Sequence, residues 1–526
     1  MDNHVPTGQK KWINRAAWPA IFLFAISLTI RIYFVTAFDF DGLYGQDSFA
    51  YFNQAAAIAE NLPRGELPPL NFFWPNGYPL LAAVFMWMIG KTEWATLLPV
   101  LLTGSAIAPL AYFLCRELFG EEGHRAGIFA GLVIAVAGQP ILSSVTSMAD
   151  LPGLFWAMLG TWCLVRAWKF PQIPTSSHEF QARKGTHRNA WELWLTFAGL
   201  FLAFATISRW NYATLSLPFA LFAIYKTRKH RTPFWPLILP ALAGFAVLLP
   251  QIWLSTHRPE GLFHQWLVGW SPANTFANTF QTPDGLLTLE RPVFFFNLLP
   301  AIHPAYLFPL LGLAIPFGIW GLWREKNCGA LILLVGWAAP VYIFLAGIPY
   351  ENFRFGLSLY PPLVILASYG ISLITHHLSR FTSQKIFDIG YWVFIGGSLL
   401  FMLVWAYRMV GPFLETQNAS KTQVLEIAAQ LPPDATVVTL GPTLIFDHYT
   451  TLNMVEFYSA NEESLTHLIA ESQPVFLLLD IPDTEGRWKG MGPQLLYAWL
   501  KTHASLVPRG EFPPYTLFEI QPLSLK

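Results

Sequence analysis

The stretch Tyr78-Pro79-Leu80-Leu81-Ala82-Ala83-Val84-Phe85-Met86-Trp87-Met88-Ile89 decides how the rest of this 526-residue chain is threaded. A helix needs about 20 apolar residues to cross a hydrocarbon core ~30 Å thick. This run supplies about a dozen, so it reads as a helix lying in or dipping into the interface. Outward from it, eleven segments qualify or nearly qualify as spans: 16–38, 94–115, 126–146, 150–169, 191–208, 212–226, 233–254, 304–323, 329–348, 355–376 and 386–409. The pair 191–208 and 212–226 is the shortest of these readings.

Keeping 78–89 out of the span count places the basic connections on one side. Lys10/Lys11/Arg15, Arg116/Arg125, Arg166/Lys169/Arg183/Lys184/Arg188, Lys226/Arg228/Lys229/Arg231, Arg324/Lys326 and Arg380/Lys385 then share a face, eighteen cations in all. The opposite face, before Gly411, holds seven: Arg64, Lys91, Arg209, Arg258, Arg291, Arg354 and Arg408. The positive-inside rule makes the first face cytoplasmic. Counting 78–89 as a span would put the basic 166–190 loop outside, which the same rule rejects.

Composition agrees with a membrane protein: 54% hydrophobic, 16% aromatic and 12% charged, where a soluble domain has about 25% charged residues. Lys plus Arg number 32 and Asp plus Glu number 32, so net charge gives no argument for nucleic acid as a partner. Cys115, Cys163 and Cys328 lie in or beside apolar segments and offer neither a disulfide framework nor a CxxC metal site. The apolar run that follows Lys10, Lys11 and Arg15 reaches Phe38, too long for a signal-peptide core, and reads as a retained first span.

The expected fold is a polytopic α-helical membrane protein of about 11 spans with a small C-terminal α/β extracytoplasmic domain. Residues 1–410 form the transmembrane part, with long extracytoplasmic loops 39–93 and 255–303 rich in Trp, Phe and Pro. Residues 411–526 alternate helix-like stretches (421–430, 462–471, 493–502) with strand-like runs (436–440, 475–479, 516–520). An odd number of spans puts this part outside.

Ionisable groups at the ends of spans are the candidates for chemistry. Asp47, in Gly45-Gln46-Asp47-Ser48-Phe49-Ala50-Tyr51, opens an Ala-rich helical pattern reaching Asn61. Asp150, in Ser147-Met148-Ala149-Asp150-Leu151-Pro152, opens the fourth span. Helix capping explains either acid on its own. The topology adds that both fall on one face, where one carboxylate could act as base while the other orients a substrate, or both could bind a cation. Arg209 and Arg354 lie at outer helix ends; snorkelling or a local pair such as Arg354 with Glu351 explains them structurally, and an anionic headgroup explains them functionally.

The order of these features resembles the GT-C glycosyltransferases, specifically the family 39-like group of protein O-mannosyltransferases and lipid A aminoarabinose transferases. The residues that carry the resemblance are Asp47-Ser48-Phe49-Ala50-Tyr51, Pro75-Asn76-Gly77-Tyr78-Pro79-Leu80-Leu81, Met148-Ala149-Asp150-Leu151-Pro152, and Phe353-Arg354-Phe355 followed by Pro361-Pro362. The resemblance covers roughly 16–410. The chain departs from it at Ser48, where many relatives have Glu, which leaves Asp47 as the single carboxylate of that motif.

The resemblance implies inverting transfer of a sugar from a polyprenyl-phosphate donor to an extracytoplasmic lipid, glycan or protein acceptor, in a protein of the bacterial inner membrane. It implies catalytic roles for Asp47 and Asp150 and substrate contacts for Tyr51, Asn76, Tyr78, Arg209 and Arg354. Such a donor requires no nucleotide, in keeping with the lack of a P-loop or a Rossmann glycine fingerprint. No cofactor is implied with certainty, and a divalent metal is compatible with the two acids. A transporter or flippase of lipid-linked saccharides is the rival reading, and it predicts duplicated halves with broken helices, which the sequence does not display. A structural assembly subunit would make both acids caps.

Overall fold

The computed structural model describes residues 7–70, 72–169, 181–257, 269–282, 285–349, 352–379, 384–471 and 474–522. The longer helices of the first 428 residues are α1 (Thr7–Ala37), α2 (Gly45–Asn61), α3 (Gly77–Ile89), α4 (Glu93–Phe119), α5 (Gly123–Val136), α6 (Gly138–Ser144) and α7 (Asp150–Ala167), followed by α8 (Gln181–Ser208), α9 (Ser216–His230), α10 (Ile238–Thr256), α11 (Ile315–Arg324), α12 (Cys328–Gly347), α13 (Tyr360–Leu378) and α14 (Gln384–Ala428). Helix α3 has 13 residues, about 20 Å at 1.5 Å per residue, so it is too short to cross a bilayer.

Helix occupies each of the eleven segments read as spans. Among the described residues, six helices are long and apolar enough to cross a membrane, and seven if α5 and α6, bent by 60°, make one span. The other four segments are α7, which carries Asp150 and Arg166 at its two ends, the 15-residue α9, the helix broken before α11, and α13. Helix α10 shows why burial here differs from that of a soluble protein. Its residues Ile238, Leu242, Phe245, Leu249 and Trp253 are exposed along one stripe, as they must be where the solvent is lipid.

The chain divides into two compact units. The first comprises residues 1–42, 54–275 and 293–411, and the second comprises 43–53, 276–292 and 412–526. In the first unit, helices approach through small residues. A Cβ on Gly318 of α11 would lie 2.2 Å from the carbonyl oxygen of Leu366 on α13, and one on Gly370 of α13 would lie 2.1 Å from that of Ala314. With no hydrophobic drive between helices in lipid, such backbone approach supplies much of the packing.

The second unit contains a hairpin, β1 (Thr279–Thr282) with β2 (Gly285–Thr288), and a five-stranded sheet. The sheet strands are β3 (Thr436–Thr439), β4 (Asn453–Glu456), β5 (Val475–Leu479), β6 (Ala504–Phe512) and β7 (Tyr515–Pro522), in the order β4-β3-β5-β7-β6. Strand β3 runs parallel to β4 and β5, and β7 is antiparallel to β5 and β6. All five residues of β5 are buried, because helices cover both faces of this central strand. The helices of this part are α15 (Thr443–Tyr449), α16 (Glu462–Glu471), α17 (Ile481–Gly486) and α18 (Gly492–His503).

The close crossing of α11 and α13 is open to test by one added methyl group. Gly318→Ala should lower the melting temperature of the purified protein, since backbone must move to admit it. Gly390→Ala, where nothing lies within 4 Å, should leave it unchanged or raise it, because Ala is favoured over Gly in a helix by about 1 kcal/mol. Equal melting temperatures for the two variants would contradict the crossing.

Candidate active site

The site in the first unit is built where a broken helix turns back. Ala137 is extended (φ −68°, ψ 134°), which ends α5 and starts the short α6. After Ser144 the chain makes the turn Val145–Ala149 and enters α7 at Asp150. The N–H of Ser147 donates to the Gly42 carbonyl at 2.8 Å, and the Thr96 and Ser147 hydroxyls lie 3.0 Å apart. Gly42 has φ +93°, and a Cβ there would meet the Ser147 hydroxyl at 2.9 Å, so this contact requires glycine.

Asp150 is the first residue of α7. Its side chain meets two guanidinium groups. Arg209 Nη2 lies 2.8 Å from both carboxylate oxygens, and Arg354 Nε lies 3.9 Å from Oδ2. Only 6% of Asp150 is exposed, so the carboxylate has exchanged water for these two cations. The Phe355 ring faces both, with its centroid 5.8 Å from Arg209 Cζ and 6.0 Å from Arg354 Cζ. Arg354 Nη1 also lies 3.4 Å from the sulfur of Met148.

The two arginines are held by different local devices. Arg209 is the extended residue (φ −146°, ψ 117°) between the end of α8 and a 3-10 turn at Trp210–Leu215. Arg354 sits in a second 3-10 turn, Phe353–Ser358, whose start is capped by the Asn352 side chain accepting from the Arg354 N–H at 3.1 Å. The buried Tyr306 hydroxyl donates to the Phe353 carbonyl, and the Trp337 indole donates to the Ser358 carbonyl at 2.7 Å. Glu351, the local partner considered for Arg354, lies outside the described residues.

Two residues expected to touch substrate have structural partners. Tyr78 is fully buried and its hydroxyl donates to the Thr96 carbonyl at 2.9 Å. Asn76 accepts from Gln54 Nε2 at 2.7 Å and donates, through its backbone and side-chain nitrogens, to Gln251 Oε1 at 2.9 and 3.2 Å. Gln251 in turn donates to Ser255 at 3.2 Å. These amides satisfy one another away from water and fix the turn Pro75–Gly77. A Cβ at Gly77 would lie 2.6 Å from the carbonyl of Ile207, so the same turn packs on the end of α8, two residues before Arg209.

Gln251 and Gln54 were legible and missed. An amide alone in the apolar run of α10 must find a partner. Phe355 and Met148 carried no comparable signal.

The remaining two sequence candidates belong to the second unit. Tyr51 is fully buried in α2. Asp47 is the third residue of α2 and half-buried, inside the first turn rather than at its cap. That turn is braced by Ser48, whose hydroxyl accepts from the Tyr44 N–H at 2.6 Å and donates to the Tyr44 carbonyl. Ser48 is fully buried.

In class, the chain is an integral membrane protein that gathers an acid and two guanidinium groups at the ends of three helical segments. A family model described as dolichyl-phosphate-mannose-protein mannosyltransferase matches residues 75–175, from the Asn76 turn through the end of α7. Comparison by sequence with curated proteins gives no match. Among solved structures, ArnT from Cupriavidus metallidurans in the apo state has a TM-score of 0.60 at 16% identity, over 98% of this chain and 98% of that one. ArnT bound to undecaprenyl phosphate gives 0.59 at 16%, over 97% and 98%. The oligosaccharyltransferase AglB from Archaeoglobus fulgidus, in complex with an inhibitory peptide and a dolichol-phosphate, gives 0.54 at 12%, over 94% and 74%. The fold is therefore that of the GT-C glycosyltransferases, as the motifs suggested, and the family match together with this fold indicates a GT-C-type glycosyltransferase.

The Archaeoglobus enzyme has also been seen in complex with Zn and sulfate. Here the donor set around Asp150 does not fit a metal ion, since two guanidinium groups face its carboxylate. Among the described residues no group of three His, Cys, Asp or Glu side chains could hold one.

Removing one partner of a buried ion pair costs about 3–5 kcal/mol, whereas replacing both by apolar groups costs far less. Asp150→Leu should therefore depress the melting temperature strongly, and Asp150→Leu/Arg209→Met should recover part of the loss. Additive effects in this double-mutant cycle would show that the two side chains do not interact.

Proposed function

We propose that this chain transfers a sugar, with inversion, from a polyprenyl-phosphate-linked donor to an acceptor on the extracytoplasmic face of the bacterial inner membrane. The observation that supports it most is the placement of two guanidinium groups against one carboxylate beside helix ends. Guanidinium matches phosphate oxygens in a bidentate manner. In transfer, the acceptor nucleophile attacks the anomeric carbon from the face opposite the phosphate, and the bond from that carbon to the phosphate oxygen breaks. The bonding pair leaves with the lipid phosphate, whose growing negative charge Arg209 and Arg354 stabilise. The acceptor proton goes to Asp47, acting as general base. Asp150 orients the two arginines. The polyprenyl tail stays in lipid throughout.

The topology is part of the proposal: the N-terminus and the basic end of α9, Arg228-Lys229-His230, are cytoplasmic. The transporter reading is not favoured, because the family match and the fold neighbours are glycosyltransferases.

Purified protein incubated with a radiolabelled polyprenyl-phosphate sugar tests the chemistry. Asp47→Asn should lower kcat on the order of 100-fold or more with folding intact, whereas a helix-cap role would cost only ~1 kcal/mol of stability and leave turnover in place. Arg354→Ala should lower kcat/KM for the donor, as loss of a charge-assisted phosphate contact requires. Near-normal turnover in Asp47→Asn would sink the base assignment.

Topology is tested with single cysteines in place of Thr92 and Lys229, after Cys115, Cys163 and Cys328 have been replaced. A membrane-impermeant thiol reagent on intact cells should label position 92 and spare position 229. The reverse pattern would put the basic ends outside and remove the basis for an extracytoplasmic site.

A further inference from the structure

We propose that the C-terminal part of the chain, 412–526, is a positioning element for Asp47, acting through Gln46 and His448. This rests on the assignment of Asp47 as base made above.

Residues 43–53, which include the first turn of α2, fall in one compact unit with 412–526. The contacts within that unit are specific and lie on both sides of Asp47 in sequence. Gln46 Nε2 donates to the carbonyl of Gly441 at 2.5 Å. The His448 ring meets Phe49 and Phe52 edge-on, with centroids 5.4 and 4.7 Å apart and interplanar angles of 61° and 84°. Tyr449 meets Phe49 at 5.7 Å and 86°. Upstream, Tyr44 meets Phe413 edge-on at 5.1 Å.

Gln46, Phe49 and Phe52 follow one another at three-residue spacing, so they form one face of α2. Asp47 is about 100° around the helix from Gln46 and about 160° from Phe49, at the centre of that face, so it projects from the side of α2 turned away from the docked face. Rotating or lifting the docked face therefore re-aims the Asp47 carboxylate directly.

The surface that receives this face is itself rigid. Gly441, with φ +102°, follows β3, which is paired on one side with β4 and on the other with β5. The Thr439 hydroxyl donates to the Leu478 carbonyl at 2.8 Å, and the Thr443 hydroxyl donates to Glu456 Oε2 at 2.7 Å. These bonds fix the loop from β3 to α15, and α15 carries His448 and Tyr449. The Phe49 side chain is 1% exposed, so the contact is a packed one rather than a surface touch. A catalytic group misplaced by 1 Å can cost on the order of 100-fold in rate, and the sheet supplies the stiffness that the first turn of a helix lacks alone.

The test uses the full-length purified enzyme and the radiolabelled donor. Gln46→Ala/His448→Ala should lower kcat about 10-fold or more while donor KM stays within about twofold. His448→Phe, which keeps an aromatic edge against Phe49 and Phe52, should restore most of the rate lost in His448→Ala. In an Asp47→Asn background, the Gln46 and His448 substitutions should change the residual rate no further, because they act through the same carboxylate. Leu495→Ala, at a 58% exposed position of α18, should leave kcat unchanged. Wild-type kcat in Gln46→Ala/His448→Ala overturns the proposal when Asp47→Asn is inactive. So does an equal further loss in the Asp47→Asn background, or failure of His448→Phe to restore the rate. An active Asp47→Asn overturns the base assignment itself, a distinct result.

Discussion

Lipid offers no hydrogen bonds, and the first unit is organised by that constraint. Each polar side chain placed at depth must bring its partner with it. Asp150 is answered by Arg209 and Arg354, and Asn76 by Gln54 and Gln251. Arg31, fully buried in α1, is answered by the Ser144 hydroxyl at 2.9 Å and by the Ser27 hydroxyl and carbonyl. These groups are not scattered. Arg31 ties α1 to the end of α6, six residues before Asp150, while the Gln54 network fixes the turn that packs against the end of α8 just before Arg209. The polar interior thus holds the pieces of backbone from which the charged cluster projects.

Backbone contact does the rest. Gly42 lets the chain approach the Ser147 turn, and Gly77 lets the Asn76 turn approach Ile207. In both places the contact is to main chain or to a short hydroxyl, which leaves little freedom for adjustment. The amide ladder and the close approaches point to the same geometry, and such consistency across levels is what allows a charged site to be held at the edge of a membrane.

What was legible in the sequence follows the strength of the physical signal. Length against bilayer thickness identified α3 as too short to span, and the 3.6-residue or two-residue apolar rhythm located β5 and α16 at their observed bounds. Strand β6 was not legible, because Pro508-Arg509-Gly510-Glu511 reads as a turn; it is an edge strand with a register shift between Pro508 and Gly510, where proline and charge are tolerated. Strand β4, the opposite edge, has only four residues, Asn453–Glu456, too few to show an alternating pattern. The structural partners of Tyr78 and Asn76 were not legible, because motif and position do not reveal that the Tyr78 hydroxyl donates to the Thr96 carbonyl or that Asn76 joins Gln54 and Gln251. The ion pair of Asp150 with Arg209 was not legible either, since the 59 residues between them carry no periodicity that would bring them together.

The stoichiometry of the cluster bears on the proposed chemistry. Two guanidinium groups alone would repel each other and would have to be held by packing at a cost in stability. The Asp150 carboxylate holds both cations in place in a region shielded from water, where charge interacts more strongly than in bulk. Phe355 adds a face for both cations without adding a competing negative charge. Under the proposed chemistry the phosphate gains charge as the bond to the sugar breaks, and its interaction with the two guanidinium groups grows, which would favour the transition state over the bound donor. Under the same proposal Asp150 holds the arginines in place, and the proton of the acceptor passes to a different carboxylate, Asp47.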